Sequence, residues 1–294
     1  MLVGFVFLFS CKKDNSKGTN SPGQKYTVNF TVSDVTKAAA STNKLQVTSA
    51  ADTFSKYAKN LRYLVYDSNN QLVRQINQDT TTANFGHISD SFTPGTYNVV
   101  FIVNAGSVVA GQPVATQGKP DYFTGSLKYN GLFYKSTSLT VTNTTINQQI
   151  ALNRINAQVQ VKATDVVPAV LDSVQFSFSG FQGTYAVRDG AFTIDLTISP
   201  RIFGHVFTAA EKGTSNFKFS TYCFNTVQPF TVKIIRYGKT VTSTPITVNN
   251  VTSVQNKVTV LTGQIFQNLN SSTNQNAGFQ ISFDPNWNDQ IINY

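Results

Sequence analysis

The sequence predicts an all-β protein made of two β-sandwiches in tandem. Apolar and polar residues alternate in short runs, no segment longer than a turn or two keeps a 3.6-residue period, and Gly-, Pro- and Asn-rich turns separate the runs. The alternation also restarts once, near residue 154. At 294 residues the chain is long enough for two ordinary cores of roughly 150 residues each.

The N-terminus reads differently from the rest. An apolar run from Leu2 ends in Leu8-Phe9-Ser10-Cys11 and switches at once to Lys12, Lys13 and Asp14. This is the pattern of a bacterial lipobox, with Leu8 for the signal peptidase pocket, Phe9 and Ser10 before the cut, and Cys11 as the acylated first residue. The ten residues before Cys11 fall well short of the roughly 20 that a membrane-spanning helix needs. A buried strand would not explain an apolar run that stops at Cys-Lys-Lys-Asp. Phe9 is large for its place, and the lack of Lys or Arg before the run leaves open a start codon upstream of Met1. Residues 1–10 are thus expected to be a signal peptide and 11–24 an acylated cysteine with a Ser-, Gly- and Asn-rich tether. The acyl chains, palmitate among them, would hold Cys11 in a membrane, since two or three chains anchor far more firmly than one.

The first sandwich is expected over 25–153. Tyr26, Val28, Phe30 and Val32 alternate with Thr27, Asn29 and Thr31, giving one face to a core and one to water. Small polar residues from Ser33 to Ala51 read as a long connection. Leu61 to Tyr66 and Gln71 to Ile76 flank the turn residues Asp67-Ser68-Asn69-Asn70, a hairpin signature. Pro94-Gly95 marks a turn before the strongest core strand, where Tyr97, Val99, Phe101 and Val103 share a face. Asp121 to Lys135 is rich in aromatics. Tyr122, Tyr129 and Tyr134 there could form a sugar-stacking platform, but packing over a sandwich edge is the commoner fate of such residues. Leu139 to Thr142 and Ile146 to Leu152 complete this half.

The second sandwich is expected over 154–294. Ile155, Ala157, Val159 and Val161 repeat the alternation that opens the first half. Val174 to Phe178 follows, then Gln182 to Ala186 and Ala191 to Leu196 around an Asp189-Gly190 turn. Phe217 to Cys223, Phe230 to Arg236, Ile246 to Asn249 and Lys257 to Ile265 continue the meander. A polar spacer, Asn268 to Asn276, precedes a last strand with Phe279, Ile281 and Phe283 on one face and a tail holding the only tryptophan, Trp287.

Chemistry is sparse. The net charge is +9, but the lysines are scattered singly beyond Lys12-Lys13, so the basic pI reads as a solvated surface and not as a nucleic-acid site. His87 and His205 are the only histidines and Glu211 the only glutamate, in no metal-ligand spacing. No nucleophile elbow, P-loop or dinucleotide fingerprint occurs, so no catalytic residue, metal or cofactor is expected. With Cys11 acylated, Cys223 has no partner and reads as a small buried hydrophobe.

Several pieces together resemble the FimB-like anchor and minor subunits of Bacteroidetes type V (fimbrillin) pili. They are Cys11-Lys12-Lys13-Asp14, Leu61 to Asp67 leading into a hairpin, Gly95 to Phe101, Leu152-Asn153-Arg154, and Asp284 to Asp289. The resemblance implies two transthyretin-like or Ig-like sandwiches, a cell outer-membrane lipid anchor at Cys11, no enzyme activity, and assembly with other pilus subunits by giving or receiving a β-strand. It also implies surface display toward a host or neighbouring cell. In stalk relatives a protease cuts after an arginine in an early loop, whereas Ser33 to Asn60 holds none here, which suits an unprocessed anchor or accessory subunit. The family's surface-export signal follows the cysteine with Lys and paired acids, and here Asn15 follows Asp14. The segment Phe279, Ile281, Phe283 and Trp287 is the expected exchanging strand. A surface glycan-binding lipoprotein is the alternative, carried by the three tyrosines.

Overall fold

The computed structural model describes residues 23–36, 58–104, 122–124, 131–181, 183–194, 199–241, 244–269 and 278–284. Among them there is no helix. Cys11, its lipobox Leu8, Phe9 and Ser10, Tyr129 and Trp287 lie outside the described residues.

In the first half the strands are β1 (Tyr26–Thr36), β2 (Asn60–Tyr66), β3 (Leu72–Asp79), β4 (His87–Phe92), β5 (Gly95–Asn104), β6 (Tyr122–Thr124), β7 (Leu132–Val141) and β8 (Ile146–Arg154). All but β6 form one sheet in the order β3-β2-β5-β7-β8-β1-β4. β7 and β8 share only the pairs Phe133–Arg154 and Tyr134–Asn153, and there the sheet folds over on itself. Phe30 of β1 lies 5.6 Å from the Tyr63 ring of β2 and 5.2 Å from the Phe101 ring of β5, a contact that only two facing leaves allow. Alternate residues of both leaves fill this core, among them Val28, Val65, Val99, Ile150 and Leu152.

The second half holds β9 (Ala157–Ala163), β10 (Ser173–Ser179), β11 (Gly183–Ala186), β12 (Ala191–Ile194), β13 (Arg201–Val206), β14 (Lys218–Cys223), β15 (Phe230–Tyr237), β16 (Ile246–Val251), β17 (Val258–Gly263) and β18 (Gln280–Asp284). Two four-stranded sheets, β13-β10-β15-β16 and β14-β9-β17-β18, enclose a core dense in phenylalanine. Phe176 stacks on Phe219 at 4.3 Å, and Phe203 meets Phe178 edge-on at 5.7 Å. A third small sheet, β12-β11-β6, takes its outer strand from the first half.

The two halves share a surface as well. The residues of β2, β5 and β7 that face away from the first core, including Leu64, Tyr66, Val100, Ile102 and Tyr134, are buried in the second core cluster. β2 and β5 therefore bury both faces, which is why their sequences read as nearly continuous apolar runs. Polar bonds reinforce the joint: Asn98 Nδ2 donates to the Arg188 carbonyl at 3.1 Å, and Gln255 Nε2 to the Arg154 carbonyl at 2.6 Å.

Three expectations need correction. The connection expected from Ser33 begins later, because β1 runs on to Thr36 after a bulge between Val32 and Asp34. The aromatic stretch Asp121 to Lys135, expected to pack over a sandwich edge, is itself strand in part: β6 lies within it and β7 starts at Leu132. Tyr134 is buried, with its hydroxyl donating to the Val187 carbonyl at 2.8 Å, so it cannot be part of an exposed sugar platform. β13, which has no expected counterpart, turns Phe203 into the core and leaves Ile202 and Val206 outside.

Candidate strand-exchange edge

Each half contains the same three-stranded unit. β1 pairs antiparallel with β4 and parallel with β8, while β9 pairs antiparallel with β14 and parallel with β17. In the second unit the free side of β17 is taken by β18, which runs antiparallel to it in the register Val258–Asp284, Leu261–Ile281 and Thr262–Gln280. Among the described residues β18 is the edge of its sheet.

The alternation of Phe279, Ile281 and Phe283 aims these side chains along the face that Thr259 and Leu261 turn to the core. Only the first gets there. Phe279 is partly buried against the core, seated over Gly263, where an added Cβ would come within 2.9 Å of the ring. Ile281 and Phe283 remain 40% and 45% exposed, and every residue of β18 is exposed. Complete burial of such side chains contributes about 1.5–3 kcal/mol each, so a good part of that stabilisation is left unused. β18 contains no Lys, Arg or Pro, the residues that commonly blunt a sheet edge against further pairing.

Elsewhere the reactive side chains are structural. His205 Nε2 lies 2.8 Å from Glu211 Oε1, and the other Glu211 oxygen accepts from the Thr208 N–H and hydroxyl, both at 2.8 Å. Burial acts to raise the Glu211 carboxyl, but these bonds from Thr208 and His205 outweigh it and hold the group below its usual range. The cluster clamps the turn after β13. Cys223 is buried and free, its Sγ 3.1 Å from Ser253 Oγ, and burial pushes its thiol up to about 12, which makes it an unreactive core residue. Among the described residues no three His, Cys, Asp or Glu side chains gather as metal ligands.

Sequence reasoning finds the strand at 279–283 from its alternation but not its exposure, because a period-two pattern marks a face without showing what covers it. Tyr122 lies in β6, whose backbone pairs with β11 through Tyr122–Ala186. The structure therefore does not bring the three tyrosines together on one described surface.

A family model for the fimbrillin-A associated anchor proteins Mfa1 and Mfa2 matches residues 19–291. Among solved structures, the fimbrial anchor protein Mfa2 from Porphyromonas gingivalis aligns with a TM-score of 0.51 at 11% identity, over 92% of this chain and 100% of that one. A candidate adhesin from Bacteroides thetaiotaomicron gives a TM-score of 0.54 at 11% identity, over 92% and 98% of the two chains. A candidate polysaccharide-binding protein from the same organism gives 0.51 at 8% identity, over 83% and 92%. At these identities the structural likeness carries the fold. No curated protein matches the chain.

Proposed function

Because the chain belongs to the family of fimbrillin-A associated anchor proteins, we propose that it is an outer-membrane lipoprotein that serves a fimbrium as anchor or accessory subunit and joins other subunits by β-strand addition. The observation that carries this reading is β18, an edge strand that pairs only with β17 among the described residues and has all five of its residues exposed. The backbone bonds of an edge strand can be exchanged one for one with those of a partner's edge. Ile281 and Phe283 then supply the alternate apolar side chains that a partner groove would cover.

The N-terminal sequence supports the membrane end of this role. Acylated at Cys11, residues 11–24 would act as a flexible tether with a root-mean-square span of roughly 20 Å. That reach keeps the first sandwich close to the membrane and leaves the second half, with β18, to face other subunits. β1 is already paired on both sides, by β4 and by β8, and so offers no free edge of its own.

Two alterations test the proposal in cells. Deleting Gln280 to Tyr294 should leave the melting temperature of the purified chain nearly unchanged while fimbriae shorten or detach. Fimbriation that survives the deletion would remove this segment from assembly, and a large fall in melting temperature would make it a closing strand. Cys11→Ala should abolish labelling by an alkyne palmitate, and an unchanged label would overturn the lipid anchor.

A further inference from the structure

The surface of the joint between the halves carries a cleft of about 430 Å³ that the anchoring role does not use. It opens where β7 and β8 part after the Tyr134–Asn153 pair, so that Lys135 and Ser136 lose their neighbours on β8. The β11–β12 turn forms the opposite wall. Gly190 sits there with φ +67, and its Cα presses so close to the Tyr134 ring that a Cβ would lie 2.9 Å from it. The third wall is the loop after β14, fixed by Asn225: its Oδ1 accepts from the Val227 and Gln228 N–H groups at 3.2 and 3.1 Å, and its Nδ2 donates to the Gly180 carbonyl at 2.7 Å. Three separate elements thus hold the cleft open.

Its lining has two characters. The floor is aromatic: Phe192 is half-buried, its ring centroid 6.2 Å from that of Phe224, which lies 6.2 Å from Tyr185. The rim is polar and carries both donors and acceptors. Lys135 and the Asn153 amide can donate; Gln255 has its Nε2 committed to the Arg154 carbonyl, which leaves its side-chain oxygen to accept. Ser136 donates to Asn98 Oδ1 at 2.7 Å, so its hydroxyl likewise faces a ligand as an acceptor. The charged side chains of the lining are Lys135 and Asp189, one of each sign, and Asp189 is itself paired with Arg188 at 2.7 Å.

We propose that this cleft binds a short neutral glycan of about two hexose units. A sugar ring has an apolar C–H face suited to stacking on Phe192, and hydroxyls that both donate and accept, which matches a mixed rim in a way that an apolar ligand does not. A lining with a single cation and a single anion gives little net field to select a strongly charged ligand. The volume falls within the 300–1,000 Å³ range, on the order of that of ordinary small-molecule sites. The site is distinct from β18 and stands independently of how the protein joins a fimbrium.

The test is titration calorimetry on the full chain with maltose, lactose and N,N′-diacetylchitobiose, beside a hyaluronan disaccharide as acidic probe. At least one neutral disaccharide should bind, and Phe192→Ala and Asn153→Ala should each weaken it about tenfold, the equivalent of one lost stacking or hydrogen-bonding interaction. Asn153 and Val227 are exposed, so Asn153→Ala and the cleft-filling Val227→Trp should keep the wild-type melting temperature while losing affinity. No binding of any neutral probe, equal binding by all three variants, or preference for the acidic probe would each overturn the proposal.

Discussion

The units β4-β1-β8 and β14-β9-β17 follow the same pairing pattern, but they end differently. In the first half the outer side of β8 meets β7, whose Leu132, Phe133 and Tyr134 are buried between the two cores. In the second half the outer side of β17 meets β18, all of whose residues are exposed, with only the preceding Phe279 partly buried. Two strands with the same alternation show the contrast plainly. Phe30 of β1 is 1% exposed and touches Tyr63 and Phe101, whereas Phe283 of β18 is 45% exposed. A period-two pattern therefore specifies a strand with an apolar face, while the number of neighbouring strands and the reach of the opposite sheet decide whether that face is committed to the fold or displayed.

Substitutions at matched positions would break this contrast most directly. Phe30→Ala should destabilise the chain by about 3–5 kcal/mol in urea unfolding, because it empties a buried site packed by the Tyr63 and Phe101 rings. Phe283→Ala should cost within about 0.5 kcal/mol, as for an ordinary surface change. Similar values for the two would remove the distinction between committed and displayed strands.

Gly190 tests how firmly the first half is closed. Gly190→Ala forces an L side chain into the left-handed region and against Tyr134, which should cost about 1–2 kcal/mol. The same change should leave hydrogen exchange in β18 untouched. Tyr134 sharpens the point through pH. Burial, with a smaller contribution from Asp189 and against the bond with Ser136, pushes its hydroxyl from the ordinary 10 up to about 12. The folded group thus holds its proton after the unfolded one has lost it. Its contribution is complete below pH 10 and is lost as the pH rises toward 12. Tyr134→Phe should flatten that alkaline loss in a pH series of urea melts. An unchanged slope would place the titrating groups elsewhere, Tyr63 and Tyr185 being the others that burial raises.

The smallest effect is expected at Gly263. Gly263→Ala should displace the Phe279 ring and alter global stability by less than about 1 kcal/mol, yet speed amide exchange in β18. Unchanged exchange would show that Phe279 does not seat the strand.

Most of the strands could be read from the sequence because each presents one clean apolar face. β9 is an example, with Ala157, Val159 and Val161 all buried. β13 could not, since Arg201-Ile202-Phe203-Gly204-His205-Val206 places its bulky apolar residues on both faces, and only packing selects Phe203 for the core. The pairing of β6 with β11 joins residues about sixty positions apart and leaves no local signal. Tyr134 misleads for a related reason: an aromatic-rich stretch gives no indication that a second sheet will cover it. The cleft is the least legible feature, as Lys135, Asn153, Phe192 and Gln255 converge only through tertiary packing.

The central claim is that β18 is the strand this protein offers to its neighbours. A photoreactive phenylalanine analogue placed at Phe283, and separately at Phe30, would test it in living, fimbriated cells. Illumination should join position 283 to another fimbrial subunit and give only intramolecular products from position 30. Failure of position 283 to capture any subunit, with fimbriae still present, would contradict the claim.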